Sequence, residues 1–122
     1  MSANLQPSLM DTSQLDLEVM RTHATAAVTL LKVIANEDRL LLICQIAQQE
    51  RTVSELEQLT GIRQPTLSQQ LGVLRRENLV STRREGKHIW YHLTDTDTLA
   101  LIEVIQAIFC SKLNLGGPAP PS

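Results

Sequence analysis

Only three residues stand between Gly61 and Pro65, and that spacing constrains this chain more than any other feature. Glycine just past a helix end takes the left-handed conformation that closes it. Proline suits the first helical position, where a backbone N–H would have no partner. A helix stopping at Gly61 and another starting at Pro65 are therefore joined by a tight turn. The upstream helix has its own start signal, since Thr52-Val53-Ser54-Glu55 matches a capping box with Thr52 and Glu55 as reciprocal partners. In the downstream helix Leu67, Leu71 and Leu74 recur at i, i+4 and i+7, which turns them inward and leaves a polar outer side. Val80–Arg84 and His88–Leu93 follow as two β-prone runs around Glu85-Gly86-Lys87, a hairpin signal. Ile89, Tyr91 and Leu93 alternate to one face, and His88, Trp90 and His92 to the other.

Helices are also expected on both sides of this unit. One covers Leu15 to Ala35 and is apolar on two faces: Met20, Ala24, Ala27, Leu31 and Ile34 on one, Val19, Ala26, Leu30 and Val33 on the other. Asn36 can cap a second, with Glu37 and Asp38 in its electropositive first turn, running through Leu40, Leu41, Ile43, Cys44 and Ala47. Thr94 is the expected cap of a last helix from Asp95 to about Leu115. It carries Leu101, Val104, Ile105 and Ile108 on one side and Leu99, Ile102 and Phe109 on another. With one Trp, one Tyr and one Phe, the core must be aliphatic, which suits helices. A chain of 122 residues is expected to form one domain, over residues 14–115, with little interior for two helices apolar on both sides. The first and last helices are thus the expected surface of a homodimer; wrapping the monomer core is the alternative. Residues 1–13, polar and carrying Pro7, and the Gly- and Pro-rich residues 116–122 are expected to be disordered tails.

Net charge is −2, which by itself argues against a nucleic-acid partner, but the distribution does not. Residues 1–62 hold four basic and eight acidic side chains, residues 63–92 six basic and two acidic, and residues 93–122 one basic and three acidic. A basic segment between acidic flanks can attract phosphate while the rest repels it, although a solvated charged face gives the same pattern. No apolar run approaches the ~20 residues that span a bilayer, and the start lacks a signal-peptide pattern. A cytoplasmic protein is expected, with Cys44 and Cys110 as thiols at rest.

Helix, tight turn, helix and basic hairpin together are what a winged helix requires. Thr66, Ser68, Gln69 and Arg76 point outward, Gln70 lies at the margin, and Gln64 precedes the helix. Glutamine can bond adenine through two atoms, and Ser or Thr can bond several bases. A solvated polar face would carry the same glutamines; the basic hairpin tips the balance. Arg83, Arg84 and Lys87, with His88 beside them, can reach phosphates or a minor groove, and Arg75 and Arg76 the flanking backbone.

The run Gln64-Pro65-Thr66-Leu67-Ser68-Gln69-Gln70-Leu71-Gly72-Val73-Leu74-Arg75, followed by Leu79-Val80 and Arg83-Arg84-Glu85-Gly86-Lys87, resembles the ArsR family of winged-helix regulators. The resemblance covers about residues 26–110. Gly61 to Arg75 as a whole is similar to the persulfide-sensing branch that includes BigR and SqrR. The resemblance implies a mainly α winged helix-turn-helix with a β-hairpin, in the order α-α-α-α-β-β-α. It also implies a homodimer through the first and last helices and repression by occupancy of a pseudo-palindromic double-stranded operator.

Taken alone, each cysteine is most often a small buried hydrophobe. There is no CxxC pair. Metal-sensing members of the family place cysteines at the start of the helix before the recognition helix. Here Thr52–Glu57 holds neither Cys nor His, and residues 95–115 hold no His. A closed zinc site wants about four N/S ligands, and Cys44 and Cys110 supply two. No metal and no cofactor is therefore expected. In the persulfide-sensing branch one cysteine sits on the second helix and one on the last, and Cys44 and Cys110 match those places. What this implies is attack on a sulfane sulfur donor such as glutathione persulfide, a disulfide or polysulfide bridge, and release from genes of sulfide or persulfide detoxification. A metal- or metalloid-released repressor is the alternative. A protein-interaction module without DNA binding is a third reading, against which the intact Arg83-Arg84 and Lys87 hairpin speaks. No nucleophile–base pair is visible, so the chain is not read as an enzyme.

Overall fold

The structure is a computed structural model that describes residues 14–113, with the side chains of residues 14–15 and 110–113 outside the description. The expected tails at 1–13 and 116–122 lie outside the described residues. The elements are α1 (Gln14–Ile34), α2 (Glu37–Gln48), β1 (Arg51–Thr52), α3 (Val53–Thr60), α4 (Thr66–Arg76), β2 (Val80–Glu85), β3 (His88–Leu93) and α5 (Thr96–Leu113). Two compact units divide the chain, one reaching Lys32 and one from Val33 onward. In the first, α1 has Asp16 in its first turn and Lys32 in its last, each suited to the helix dipole. Every residue from Met20 to Thr29 is exposed.

The second unit is built around α2, which packs against α3, α4, α5 and β3. Leu42, Ile43, Cys44 and Ile46 of α2 meet Leu56, Leu67, Leu71, Leu74, Val80 and Ile102 in an aliphatic core. The expected caps form at three places. The Asn36 side chain accepts the Arg39 N–H, and Thr52 and Glu55 complete the capping box. Gly61 closes α3 at φ +77°, its N–H donating to Glu57 O. Such an angle is cheap for glycine and costly for most residues.

Two boundary expectations are corrected. Pro65 is the cap of α4 rather than its first helical residue. Asp95, not Thr94, caps the last helix, its carboxylate accepting the Thr98 N–H at 2.7 Å. The Thr94 hydroxyl instead donates to Asn78 O at 2.6 Å, tying the end of β3 to the turn after α4. Asp and Thr are both good caps, and here the neighbouring turn claims the threonine.

The hairpin pairs Val80 with Leu93 through Glu85 with His88, so Arg83 lies opposite Trp90 and Arg84 opposite Ile89. A strand not expected from the sequence, β1, pairs Arg51 with Tyr91 and Thr52 with Trp90, giving the antiparallel order β1-β3-β2. Two residues carry no readable alternation. Arg51 fixes this strand to α2 by donating to Gln45 O, Gln45 Oε1 and Gln48 Oε1.

Candidate nucleic-acid interface

Leu67, Leu71 and Leu74 bury one face of α4 completely or nearly so. At ~100° per residue the opposite face carries Gln69, Gly72 and Arg76. Ser68, Gln69, Arg75 and Arg76 are exposed, and Thr66 and Gln70 are half-buried. A Cβ added at Gly72 would touch only Arg76 Nη1, at 3.6 Å. The outer face is thus polar and, at its centre, flat.

Not every expected contact residue is equally available. The Gln64 side-chain oxygen accepts the Ser68 N–H of the first turn of α4 at 3.1 Å. Gln70 Oε1 accepts Arg39 Nη1 at 2.8 Å, and Arg39 Nε also donates to Val33 O. Arg39 therefore links Val33 to α4 within the second unit. The sequence reading had not picked it out, because its partners lie 6 and 31 residues away. Exposed Arg63, just before α4, adds a further cation that the same reading left out.

In the wing, Gly86 turns the chain at φ +64°. Arg84, Lys87 and His88 are exposed and, among the described residues, their side chains have no hydrogen-bond or ion-pair partner in the chain. Arg83, by contrast, is paired within the chain. Its guanidinium reaches Glu50 at 2.7 Å and Glu85 at 3.0 Å and lies 5.5 Å from the Trp90 ring centroid. The register explains this, since β3 carries Trp90 across from Arg83 and β1 brings Glu50 alongside. His92 shares the network, with Nε2 2.8 Å from Ser81 Oγ and Nδ1 3.5 Å from Glu50 Oε2. Arg83 thus braces the base of the wing, while the Arg84 and Lys87 side chains stay exposed.

The Arg83 hydrogen bond holds the Glu50 carboxyl below its ordinary 4.5; partial burial opposes this, and the charges of Arg83 and His92 add to it. A carboxyl lowered in the folded state contributes stability above its unfolded value, and loses it as pH falls through the folded one. Both ends of the pair are well exposed, so the effect is local. Trp90, the only tryptophan, reports it. Its emission is expected to change in an acid step below pH 4.5 that Glu50→Gln lacks. The same step in the variant would assign the change to another group.

Cys44 is 0 % exposed in the middle of α2. Gln106 Nε2 of α5 donates to its carbonyl at 3.4 Å. Cys110 follows four residues later in the same helix, and its side chain lies outside the described residues. Among the described residues no three His, Cys, Asp or Glu side chains cluster as a metal site would need, and no helix is long and apolar enough to cross a membrane.

Comparison with known proteins agrees with this geometry. Residues 36–82, from the cap of α2 into β2, match the family described as "Bacterial regulatory protein, arsR family". The biofilm growth-associated repressor of Agrobacterium fabrum is 49% identical over 102 residues, covering 84% of this chain and 87% of that one. The chain belongs to the arsR family. It is a transcriptional regulator of that family rather than an enzyme. Among solved structures, the transcriptional repressor BigR from Xylella fastidiosa superposes with a TM-score of 0.72 at 45% identity, over 78% of this chain and 97% of that one. The homodimeric winged helix-turn-helix DNA-binding domain Mb0332 from Mycobacterium bovis gives 0.60 at 28% identity, over 84% and 91%.

Proposed function

We propose that this protein represses transcription as a homodimer, each copy placing α4 in a major groove and its wing tip on the neighbouring backbone. We propose further that a bridge between Cys44 and Cys110 releases it. The observation that carries the DNA half is the set of side chains left unpaired: Gln69 on the outer face of α4 and Arg84 and Lys87 on the wing. Phosphate contacts from the wing orient the protein, and base edges are met by the helix. Two copies on a pseudo-palindromic operator follow from the symmetry of a dimer. Leu17, Met20, Val28 and Leu31 on α1 and Val104, Ile108 and Phe109 on α5 are exposed apolar residues that a second copy would cover. The homodimeric mycobacterial relative supports a two-copy assembly. Such a repressor acts in the cytoplasm, where the operator is.

The sulfur half is supported by the position of α5. Gln106 on the Cys44 carbonyl brings this helix to α2, and Cys110 lies about one turn further along the same side of it. One thiolate attacks the outer sulfur of glutathione persulfide, forming a protein persulfide and releasing glutathione. The second thiol attacks its inner sulfur and expels hydrogen sulfide, leaving a disulfide; transfer of further sulfane sulfur gives a polysulfide. Because Cys44 is completely enclosed, a sulfur donor can reach it only if the packing around it opens, and we propose that the bridge repacks α5 on α2. In a dimer joined through α5, that repacking shifts the spacing of the two α4 helices.

The test treats reduced protein with glutathione persulfide and follows intact mass and operator affinity together. Loss of two hydrogens, or added sulfur, is expected alongside binding weaker by about 5- to 150-fold, the range of a typical allosteric coupling. Cys44→Ser is expected to bind the operator and not respond. A serine variant that responds fully would place the switch elsewhere.

A further inference from the structure

The three glutamines of α4 and its entry turn do not offer the same atoms to a ligand. The oxygen of Gln64 is held by the Ser68 N–H, and that of Gln70 by the Arg39 guanidinium. Both partners only donate, so the chemistry itself decides which end of each amide is the oxygen. An amide reads adenine by setting oxygen and nitrogen side by side against the base's N6 amine and N7. With its oxygen drawn to a protein donor, Gln64 or Gln70 has its NH2 group left for an outside acceptor. Gln69 differs. It is exposed, and among the described residues its amide has no partner. It projects opposite the mean direction of Leu67, Leu71 and Leu74. Beside it Gly72 carries no side chain that would hold a base edge away.

We propose that Gln69 reads one adenine in each half-site through both amide atoms, and that Gln70, its oxygen held by Arg39, serves as a donor to a hydrogen-bond acceptor on the DNA. The assignment rests on the DNA half of the function proposed above and is independent of the cysteines.

The probe is a pool of randomised duplexes, selected in parallel by the wild type, Gln69→Ala and Gln70→Ala, all reduced. Gln69 is exposed, and Gln70 is half-buried and outside the aliphatic core, so the variants are expected to fold. The wild type is expected to enrich a symmetric sequence with one adenine per half-site that Gln69→Ala no longer demands, its discrimination there falling about tenfold. Gln70→Ala is expected to enrich the same sequence with lower affinity. In the selected duplex, 7-deazaadenine removes N7 and purine removes the N6 amine. Each is expected to weaken the wild type several-fold and leave Gln69→Ala unchanged. If Gln69→Ala selects the wild-type sequence, or Gln70→Ala loses the adenine, this assignment is overturned and DNA docking stands. A wild type that enriches no sequence overturns both.

Discussion

Val104→Asp combined with Ile108→Asp is expected to give a folded monomer that binds operator duplex about 10²- to 10⁴-fold more weakly than the wild type. Both side chains are more than half exposed, at 55 % and 54 %, so the fold of one chain does not depend on them. In a dimer joined through α5 they would be covered, and each aspartate would bury an unpaired charge at a cost of about 3–5 kcal/mol. A monomer keeps its contacts to one half-site but loses the linkage that makes the second encounter intramolecular. Sedimentation velocity gives the mass, circular dichroism the fold, and fluorescence anisotropy the affinity. A variant that stays dimeric at wild-type affinity would remove α5 from the interface.

Gly72→Leu is expected to separate stability from binding in opposite directions. Glycine in a helix interior costs up to about 1 kcal/mol relative to good helix formers, and a Cβ here meets only the mobile end of Arg76 at 3.6 Å. The variant should therefore unfold at equal or higher denaturant concentration. The same leucine would stand on the outer face beside Gln69 and keep α4 from the floor of the groove. Affinity should fall at least about 100-fold, a large part of the 10³- to 10⁷-fold gap between specific and non-specific binding. A stabilised variant with unchanged affinity would mean that this face does not meet DNA.

Local grammar explains what the sequence disclosed. The Thr52–Glu55 box, the Gly61 stop, the leucine spacing of α4 and the Gly86 hairpin are each set within a few residues, and all four form. Where two neighbours competed for one role, local reasoning chose between equals. Thr94 and Asp95 are both capping residues, and only the nearby Asn78 carbonyl explains why the threonine is taken elsewhere. The larger surprises came from partners distant in sequence. Arg83 meets Glu50 33 residues away because an unannounced two-residue strand lies beside β3. Gln70 meets Arg39 because α2 and α4 pack together. Residue type had suggested equal candidates for DNA contact; the third dimension sorts Arg84 from Arg83 and Gln69 from Gln70. Burial of Cys44 also followed from residue type, whereas the contact of its carbonyl with Gln106 of α5, 62 residues away, is visible only in three dimensions.

The most direct test is hydrogen exchange on the reduced protein with and without a selected operator duplex, joined to the mass of the intact complex. Two chains per duplex are predicted, with slowed exchange concentrated in Thr66–Arg76 and around Gly86 of both copies. One chain per duplex, or an α4 whose exchange is the same with and without DNA, would contradict the account.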